Sequence, residues 1–308
     1  MRAAVAAMVV AAGAPPLPGP LPAPARGERG STPASPARPG LAPFVGVDLL
    51  SRHAPRALVV RGPGVVRSVA AQGDVLLVDG RPAPELSLPE AAWRLELREG
   101  PLTGRPQSYS GALAIRARGG RLAIRALIER EAYVAAVVAS EARPGTPPAA
   151  LEALAVAVRS YALAARDRHP GGALCDLAHC QLLRGDGVSP AHRARAERAA
   201  RATAGEVLAL PSGAIAEAVF HAACGGHTGE PREVFGSSAS GGRPAEDGCR
   251  GPAWRAAVAP ERLAAAARSA LGASPSAGAV PAALRAADLT LRRGAGGFVA
   301  RVEAADGA

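Results

Sequence analysis

Lysine and asparagine are both missing from this 308-residue chain, and aromatic residues make up only 3% of it. The positive charge therefore comes from arginine, which we attribute to the codon bias of a GC-rich genome. Because aromatics are few, Leu, Val and Ala must fill the core, and helices must pack through small side chains. The 48% hydrophobic content excludes disorder throughout the chain and suffices for one large domain or two modest ones.

The chain also lacks any concentrated run of positive charge, although its formal net charge is +10. Its arginines are spread along the sequence, and no basic run is interleaved with aromatic residues as in nucleic-acid-binding segments. Four arginines between Pro190 and Ala204 fit the solvated face of a helix. We therefore expect no nucleic acid among the partners of the protein.

A long apolar run occurs only at the start of the chain. Met1-Arg2 gives a short positive start, residues 3–14 are almost all apolar, and Ala23-Pro24-Ala25 places small residues where a signal peptidase reads. The run is too short to span a bilayer as a mature helix. A signal peptide over residues 1–25 is predicted, with export to the periplasm or cell envelope and membrane contact only through this signal. An uncleaved anchor or a misassigned start codon is the alternative.

Composition and periodicity divide the remainder into four parts. Proline, glycine and alanine dominate the first part, which favours an extended linker. Short apolar stretches alternate with turn residues in the second, and the third changes to helical spacing. The parts are a Pro-rich linker (26–44), a β-rich N-terminal part (45–130), a mainly helical core (131–258) and a C-terminal α/β tail (259–308).

The elements predicted within these parts give an α+β fold. Strands and hairpins are expected in the β-rich part, at Ala57–Val60, Val75–Val78 and Ala112–Ile115. Three helices follow, at Glu131–Glu141, from Thr146-Pro147 onward with Thr146 as its cap, and at Pro190–Ala204. Further strands are predicted at 207–210 and 214–220 around a Pro-Ser-Gly turn, and the tail adds a helix at Pro260–Leu271 and a strand at 298–302.

Four features of the core carry residues suited to chemistry. They are Glu141 at the end of the first helix, the run Ala157–Ala162, the segment His169–Gln181 and the segment Phe220–Thr228. The motifs Tyr109-Ser110-Gly111 and Glu131-Ala132-Tyr133 precede these four features in the sequence. All six motifs, in their order along the chain, resemble the SpoIID/LytB family. That family is named for the stage II sporulation protein D and for an amidase-enhancing protein, and the resemblance runs from about residue 109 to residue 235.

This resemblance implies a lytic transglycosylase that acts on peptidoglycan glycan strands, typically after their stem peptides have been removed. Glu141 matches the catalytic glutamate of the family. The negative end of a helix dipole and a partly dry cleft both disfavour an ionised carboxylate, so Glu141 could keep a proton to donate near neutral pH. A hydrolase would usually need two opposed carboxylates, and Glu131 lies about 15 Å away along a continuous helix.

Two imidazoles and two thiols lie within a dozen residues, at His169, Cys175, His179 and Cys180. They are the ligand types of a tetrahedral zinc site, and the resemblance implies zinc here, either structural or near the cleft. A disulfide between Cys175 and Cys180 is the competing interpretation for an exported protein. If zinc takes this pair, the remaining cysteines, Cys224 and Cys249, are natural partners for a disulfide.

Seven further residues are candidates for substrate contact or for support of the site. They are Arg159, Tyr161, Gln181, His221, Gly225, Gly226 and Thr228. A buried histidine or tyrosine satisfied by backbone groups is the alternative for the side chains among them. The chain also departs from the family, with Ala222-Ala223 where serines are frequent and Phe235 where tryptophan is frequent.

Two other functions compete with the transglycosylase. The first is a non-catalytic wall-binding protein that enhances an N-acetylmuramoyl-L-alanine amidase, which would then be a partner. The second is a zinc-dependent hydrolase, which would require an open metal position with a bound water.

Overall fold

The computed structural model describes residues 42–165, 169, 172–221, 257–271, 280–293 and 299–304. The predicted signal peptide and nearly all of the predicted linker lie outside these residues. The chain forms two compact units, one of Thr32–Phe220 and the other of Met1–Ser31 with His221–Ala308. Among the described helices, none has the length and apolar character needed to cross a membrane.

A nine-stranded mixed sheet forms the framework of the unit Thr32–Phe220. Its strand order is β5-β4-β3-β2-β6-β7-β8-β1-β9, and every pair is antiparallel except β1 with β9. Chain neighbours pair as hairpins along most of the sheet, which confirms the predicted β-rich part. The strands are β1 (Phe44–Leu49), β2 (Ala57–Gly62), β3 (Val65–Gln72), β4 (Val75–Val78), β5 (Arg81–Ala83), β6 (Leu86–Leu97), β7 (Gln107–Arg118), β8 (Arg121–Glu129) and β9 (Leu174–Cys175).

Three helices follow the long strands of this unit, so the fold is α+β as predicted. They are α1 (Arg130–Glu141), α2 (Pro148–Ala164) and α3 (Pro190–Ala202). Helix α1 contacts β1, β8 and both other helices, and strands and helices contribute to one hydrophobic core. Small side chains line the helix contacts, as the shortage of aromatics predicted; the buried ones include Ala135, Ala139, Ala155, Ala196, Ala199 and Ala200.

The starts of α1 and α2 differ in the way they are capped. Glu129 caps α1, since its carboxylate accepts a hydrogen bond from the Ala132 N–H at 2.8 Å. The predicted cap of α2 is wrong, because α2 begins at Pro148 and the Thr146 hydroxyl instead donates to the Arg143 carbonyl at 2.8 Å. That hydroxyl thus stabilises the turn between α1 and α2.

The strands predicted after α3 are also wrong as extended elements. A turn is present where the sequence indicated it, but it is closed by a single bridge between Ala209 and Ile215. The backbone here bonds to side chains of α2 instead of to a long partner strand: the Leu208 N–H donates to Ser160 Oγ at 2.8 Å, and the Glu206 carbonyl accepts from Arg159 at 2.9 Å.

The second unit contains a helix and a hairpin in its described residues. Helix α4 (Pro260–Leu271) has the predicted bounds, and a short 3-10 turn at Ala286–Asp288 leads into β10 (Leu289–Arg293). Strand β10 pairs antiparallel with β11 (Val299–Ala304), which corresponds to the predicted strand of the tail.

We expect Gly62→Ala to lower the free energy of unfolding by about 1–3 kcal/mol, the usual cost of overpacking a core. A Cβ at Gly62 would lie 2.2 Å from the ring of Trp93, which is 1% exposed and is held by its indole N–H, a donor to the Gly111 carbonyl at 2.9 Å. Gly46→Ala is the matched control, because the nearest atom to its Cβ lies 3.6 Å away. Denaturant unfolding of both variants checks this, and equal stabilities would contradict it.

Candidate active site and metal centre

The C-terminal end of α1 carries Glu141, and the segment 181–184 lies along it. The Leu182 N–H donates to Glu141 Oε1 at 2.8 Å, and the Arg184 N–H donates to Ser140 Oγ at 3.0 Å. Two backbone donors, from alternate residues of an extended segment, therefore hold the end of the helix. Glu141 is half-buried, and within the described part of the chain its Oε2 has no hydrogen-bond partner. That oxygen is available to a substrate.

Buried hydrogen bonds of Gln181 with Tyr133 and Val158 hold the segment 181–184 in place. The Tyr133 hydroxyl donates to Gln181 Oε1 at 2.9 Å, and Gln181 Nε2 donates to the Val158 carbonyl at 3.2 Å. Burial raises the pKa of Tyr133 well above its usual value, so the phenol remains a donor. Gln181 is 1% exposed and offers no surface to a sugar in this structure, so it positions Leu182 from inside the core.

Arg159 lies fully buried at the other end of α1. Its guanidinium contacts the Glu131 carboxylate through Nε at 3.0 Å and Nη2 at 2.5 Å, and it also donates to the Ala200 and Glu206 carbonyls. The side chain has no exposed surface. In this structure Arg159 therefore ties α1, α2 and the end of α3 together and does not face a substrate.

Of the remaining substrate candidates, only Tyr161 and His221 lie among the described residues. Tyr161 is 3% exposed, and its hydroxyl lies 3.4 Å from the His179 carbonyl. His221 is exposed and belongs to the second unit. Several predictions lie outside the described residues: the contacts of Gly225, Gly226 and Thr228, the disulfide of Cys224 with Cys249, and the departures at Ala222, Ala223 and Phe235.

Strand β9 ends at Cys175, the first cysteine of the cluster formed by His169, Cys175, His179 and Cys180. Its parallel pairing with β1 sets Cys175 beside Asp48, at the edge of the sheet. The next residue, Asp176, accepts hydrogen bonds from the Leu50 N–H at 2.6 Å and the Ser51 N–H at 3.2 Å. Although these bonds lower the pKa of the Asp176 carboxyl, burial is the larger effect and raises it overall. The turn that follows is thereby anchored to the chain just beyond β1.

Four potential ligand atoms converge on this turn. One ligand atom from each of His169, Cys175, His179 and Cys180 lies within 4.8 Å of all the others. Adjacent atoms are closer: 3.1 Å from His169 Nε2 to Cys180 Sγ, 3.1 Å between the Nε2 atoms of His169 and His179, and 3.5 Å from Cys175 Sγ to His179 Nε2. A tetrahedral zinc ion with ordinary bond lengths would separate its ligand atoms by about 3.3–3.8 Å. The residues present therefore fit such an ion.

The two cysteines of this cluster are not bonded to each other. Their sulphur atoms lie 3.2 Å apart, whereas a disulfide bond measures about 2.05 Å. The neighbouring Cys180 sulphur, together with burial, raises the pKa of the Cys175 thiol far above its usual value. Two buried thiols in contact are costly to ionise unless a cation accompanies them, and a divalent metal would supply that charge.

Sequence reasoning missed His192, which lies on α3 among the arginines. It is 6% exposed, and its Nε2 donates to the carbonyl of Ala142. Ala142 directly follows Glu141 and is the C-cap of α1. Nδ1 is buried without a hydrogen-bond partner among the described residues. The contact joins residues fifty apart, so no local signal in the sequence indicated it.

Glu131→Gln should lower the free energy of unfolding by about 3 kcal/mol near neutral pH, because the buried Arg159 would lose its counter-charge. Burial alone raises the pKa of Glu131, but hydrogen bonds from Arg159 and Arg130 outweigh it and hold that pKa below the usual 4.5. The stabilisation is thus complete above pH 4.5 and is lost as the pH falls through the lower, folded-state value.

Denaturant unfolding near pH 7 and again at about pH 3 checks the sign of this effect. The difference between wild type and Glu131→Gln should shrink on acidification, while Glu152→Gln, a half-buried glutamate of α2, should show little difference at either pH. A gap of constant size would contradict the ion-pair explanation.

Comparison with known proteins identifies the part of the chain that carries this site. The family model SpoIID, described as Stage II sporulation protein, matches residues 118–210. This range contains Glu141, all four cluster residues and the segment 181–184, and it ends before His221. Neither the curated proteins nor the solved structures include a significant match. Residues 118–210 of the chain are therefore similar to the SpoIID family.

Proposed function

We propose that this protein is an exported lytic transglycosylase that cleaves peptidoglycan glycan strands, with Glu141 as its acid and base. The match of residues 118–210 to the SpoIID family model supports a connection with the bacterial cell wall and with cell-wall lytic activity in general. The observation that carries the proposal is the state of the Glu141 carboxyl group. One of its oxygens is fixed by the Leu182 N–H, and the other has no partner among the described residues.

A single carboxyl group suffices for the proposed reaction. Glu141 donates a proton to the oxygen that bridges two sugars, and the bond from this oxygen to the anomeric carbon of muramic acid breaks as an oxocarbenium-like centre develops. The carboxylate then accepts the proton of the muramic acid 6-hydroxyl, whose oxygen closes onto the anomeric carbon. The products are a 1,6-anhydro end and a free hydroxyl on the leaving sugar, and no water is consumed.

The surroundings of Glu141 suit this proton shuttle. The Leu182 N–H donates more strongly to the carboxylate that forms after the first proton transfer than to the neutral acid, so it stabilises the intermediate state. Glu131, the other carboxylate of α1, forms an ion pair with Arg159 and therefore has a structural role. These contacts support one acid/base residue rather than an opposed pair.

We further propose that His169, Cys175, His179 and Cys180 hold a zinc ion. With four protein ligands the coordination shell is closed, so the metal would supply a structural cross-link and no activated water, which disfavours a zinc hydrolase. Cys180 precedes Leu182 by two residues, so this cross-link would restrain the segment that fixes Glu141.

Glu141→Gln should reduce strand cleavage by roughly 10²- to 10⁴-fold, the usual contribution of a general acid or base. The amide oxygen of the new side chain still accepts the Leu182 N–H, so the fold should be unchanged by circular dichroism. Cleavage is measured on purified stem-free glycan by mass spectrometry of anhydromuramic ends, with Glu152→Gln as the active control.

Two results would count against this assignment. Full-speed cleavage by Glu141→Gln would remove the proposed acid/base residue. If the wild type produces no anhydro ends, and both proteins stimulate a cell-wall amidase equally, the protein is instead the non-catalytic amidase enhancer.

The purified chain should contain about one zinc per molecule, and Cys180→Ser should lose most of it, because three remaining ligands bind zinc much less tightly. Removal of the metal by a chelator should also lower the melting temperature. His53→Ala, a histidine of the turn after β1 and outside the cluster, should change neither quantity. Elemental analysis and intact mass distinguish a zinc site from a disulfide at Cys175 and Cys180, since a disulfide would appear as metal-free protein two mass units lighter than the dithiol.

A further inference from the structure

Arg184 follows Glu141's hydrogen-bond donor Leu182 by two residues, and among the described residues its charged group makes no contact. Its backbone N–H donates to Ser140 Oγ, one residue before Glu141, while its side chain is exposed. Leu182 and Arg184 are alternate residues of an extended segment whose N–H groups both point to α1. In such a segment alternate side chains lie on the same side, and here Gln181 and Leu183 are buried while Leu182 and Arg184 face outward.

Two other arginines of this region have acidic partners. The charge of Arg159 is balanced by Glu131, and that of Arg105 by Asp186, whose Oδ2 lies 2.9 Å from the Arg105 guanidinium. Among the described residues, the Arg184 guanidinium has neither an ion pair nor a hydrogen bond. A positive charge is therefore available close to the proposed acid/base residue.

The chemistry of the proposed substrate supplies a matching anion. Muramic acid carries a lactyl group on its third carbon, and this group ends in a free carboxylate when no stem peptide is attached. When a stem peptide is present, the same carbon is an uncharged amide. A guanidinium binds a carboxylate through charge-assisted, often bidentate hydrogen bonds, and it gains much less from an amide oxygen.

We propose that Arg184 is a specificity-determining residue that binds the lactyl carboxylate of stem-free muramic acid beside Glu141. This inference rests on the proposed function, because it assumes that a glycan strand lies across the end of α1. The Arg184 charge also offsets the repulsion between the substrate carboxylate and Glu141 in its ionised form. The chain would thus select strands from which an amidase has already removed the peptides.

Substitution of Arg184 leaves the architecture of the site in place. The hydrogen bond to Ser140 comes from the backbone of residue 184, so Arg184→Gln retains it, and the Leu182 contact to Glu141 is not touched. Arg143, which follows α1 by two residues, is likewise exposed and has no ion pair within the described ranges. It provides a matched variant close to Glu141, and the exposed Arg198 of α3 provides one on another surface.

The test compares two preparations of the same stem-free strands, one with free lactyl carboxylates and one in which these carboxylates have been converted to methylamides with a carbodiimide and methylamine. Affinity is measured with the full chain in the Glu141→Gln background, so that the strands remain intact. We expect about tenfold tighter binding of the free carboxylates, the size of one charge-assisted hydrogen bond in a partly exposed site. Arg184→Gln should abolish this preference, and Arg184→Lys should retain part of it.

Each outcome separates this proposal from the one on which it rests. Equal affinities for the two preparations, or a preference that survives Arg184→Gln, would overturn the role of Arg184 even if the wild type cleaves both. A preference lost only in Arg143→Gln or Arg198→Gln would assign the carboxylate to another arginine and would also overturn it. The proposed reaction itself fails only if the wild type yields no anhydro ends, which the binding measurement does not decide.

Discussion

The hydrogen bond from the Leu182 N–H to the Glu141 carboxylate is the contact on which the candidate site depends. It joins the last residue of α1 to a segment that begins directly after Cys180, and so connects the proposed acid/base residue with the cluster of cysteines and histidines. The parallel contact from Arg184 to Ser140 prevents the segment from rotating about the first bond. Together they set the position of one carboxylate oxygen and leave the other one for chemistry.

A set of buried polar contacts keeps α1 itself in place. Aromatic side chains are too few to fill the space between the helices, and the contacts between helix surfaces are made largely by alanine. Alanine surfaces allow close approach but are smooth, so they specify the alignment of two helices weakly. The Arg159–Glu131 ion pair and the Tyr133–Gln181 hydrogen bond add directional contacts in the first turn of α1. The fold therefore obtains its alignment from polar groups to a degree that an aromatic-rich core would not require.

The sequence predicted those parts of the molecule whose signals are local. The bounds of α1 and α4 and the hairpins of the sheet follow from periodicity and turn residues. The grouping of His169 with Cys180 follows from the ligand types within a short stretch and from the family resemblance. Arg159 was a candidate for substrate contact or for support of the site, and the sequence did not identify its partner, because Glu131 is 28 residues away and nothing local indicates that pairing. The supporting role of His192 and the backbone donors of Leu182 and Arg184 were missed for the same reason. The hairpin after α3 was overestimated because its backbone groups bond to Ser160 and Arg159, which are distant in sequence.

The attachment of β9 to β1 has a consequence for the order in which the molecule assembles. Asp176 reaches the Leu50 N–H across 126 residues of chain, and closing so long a loop costs entropy that only a largely formed sheet can offset. The hairpins from β2 to β8 join near neighbours and need no such closure. We expect the turn with Cys175, His179 and Cys180 to be among the last parts to fold, so a metal ion would enter a nearly finished scaffold and lock it instead of nucleating it.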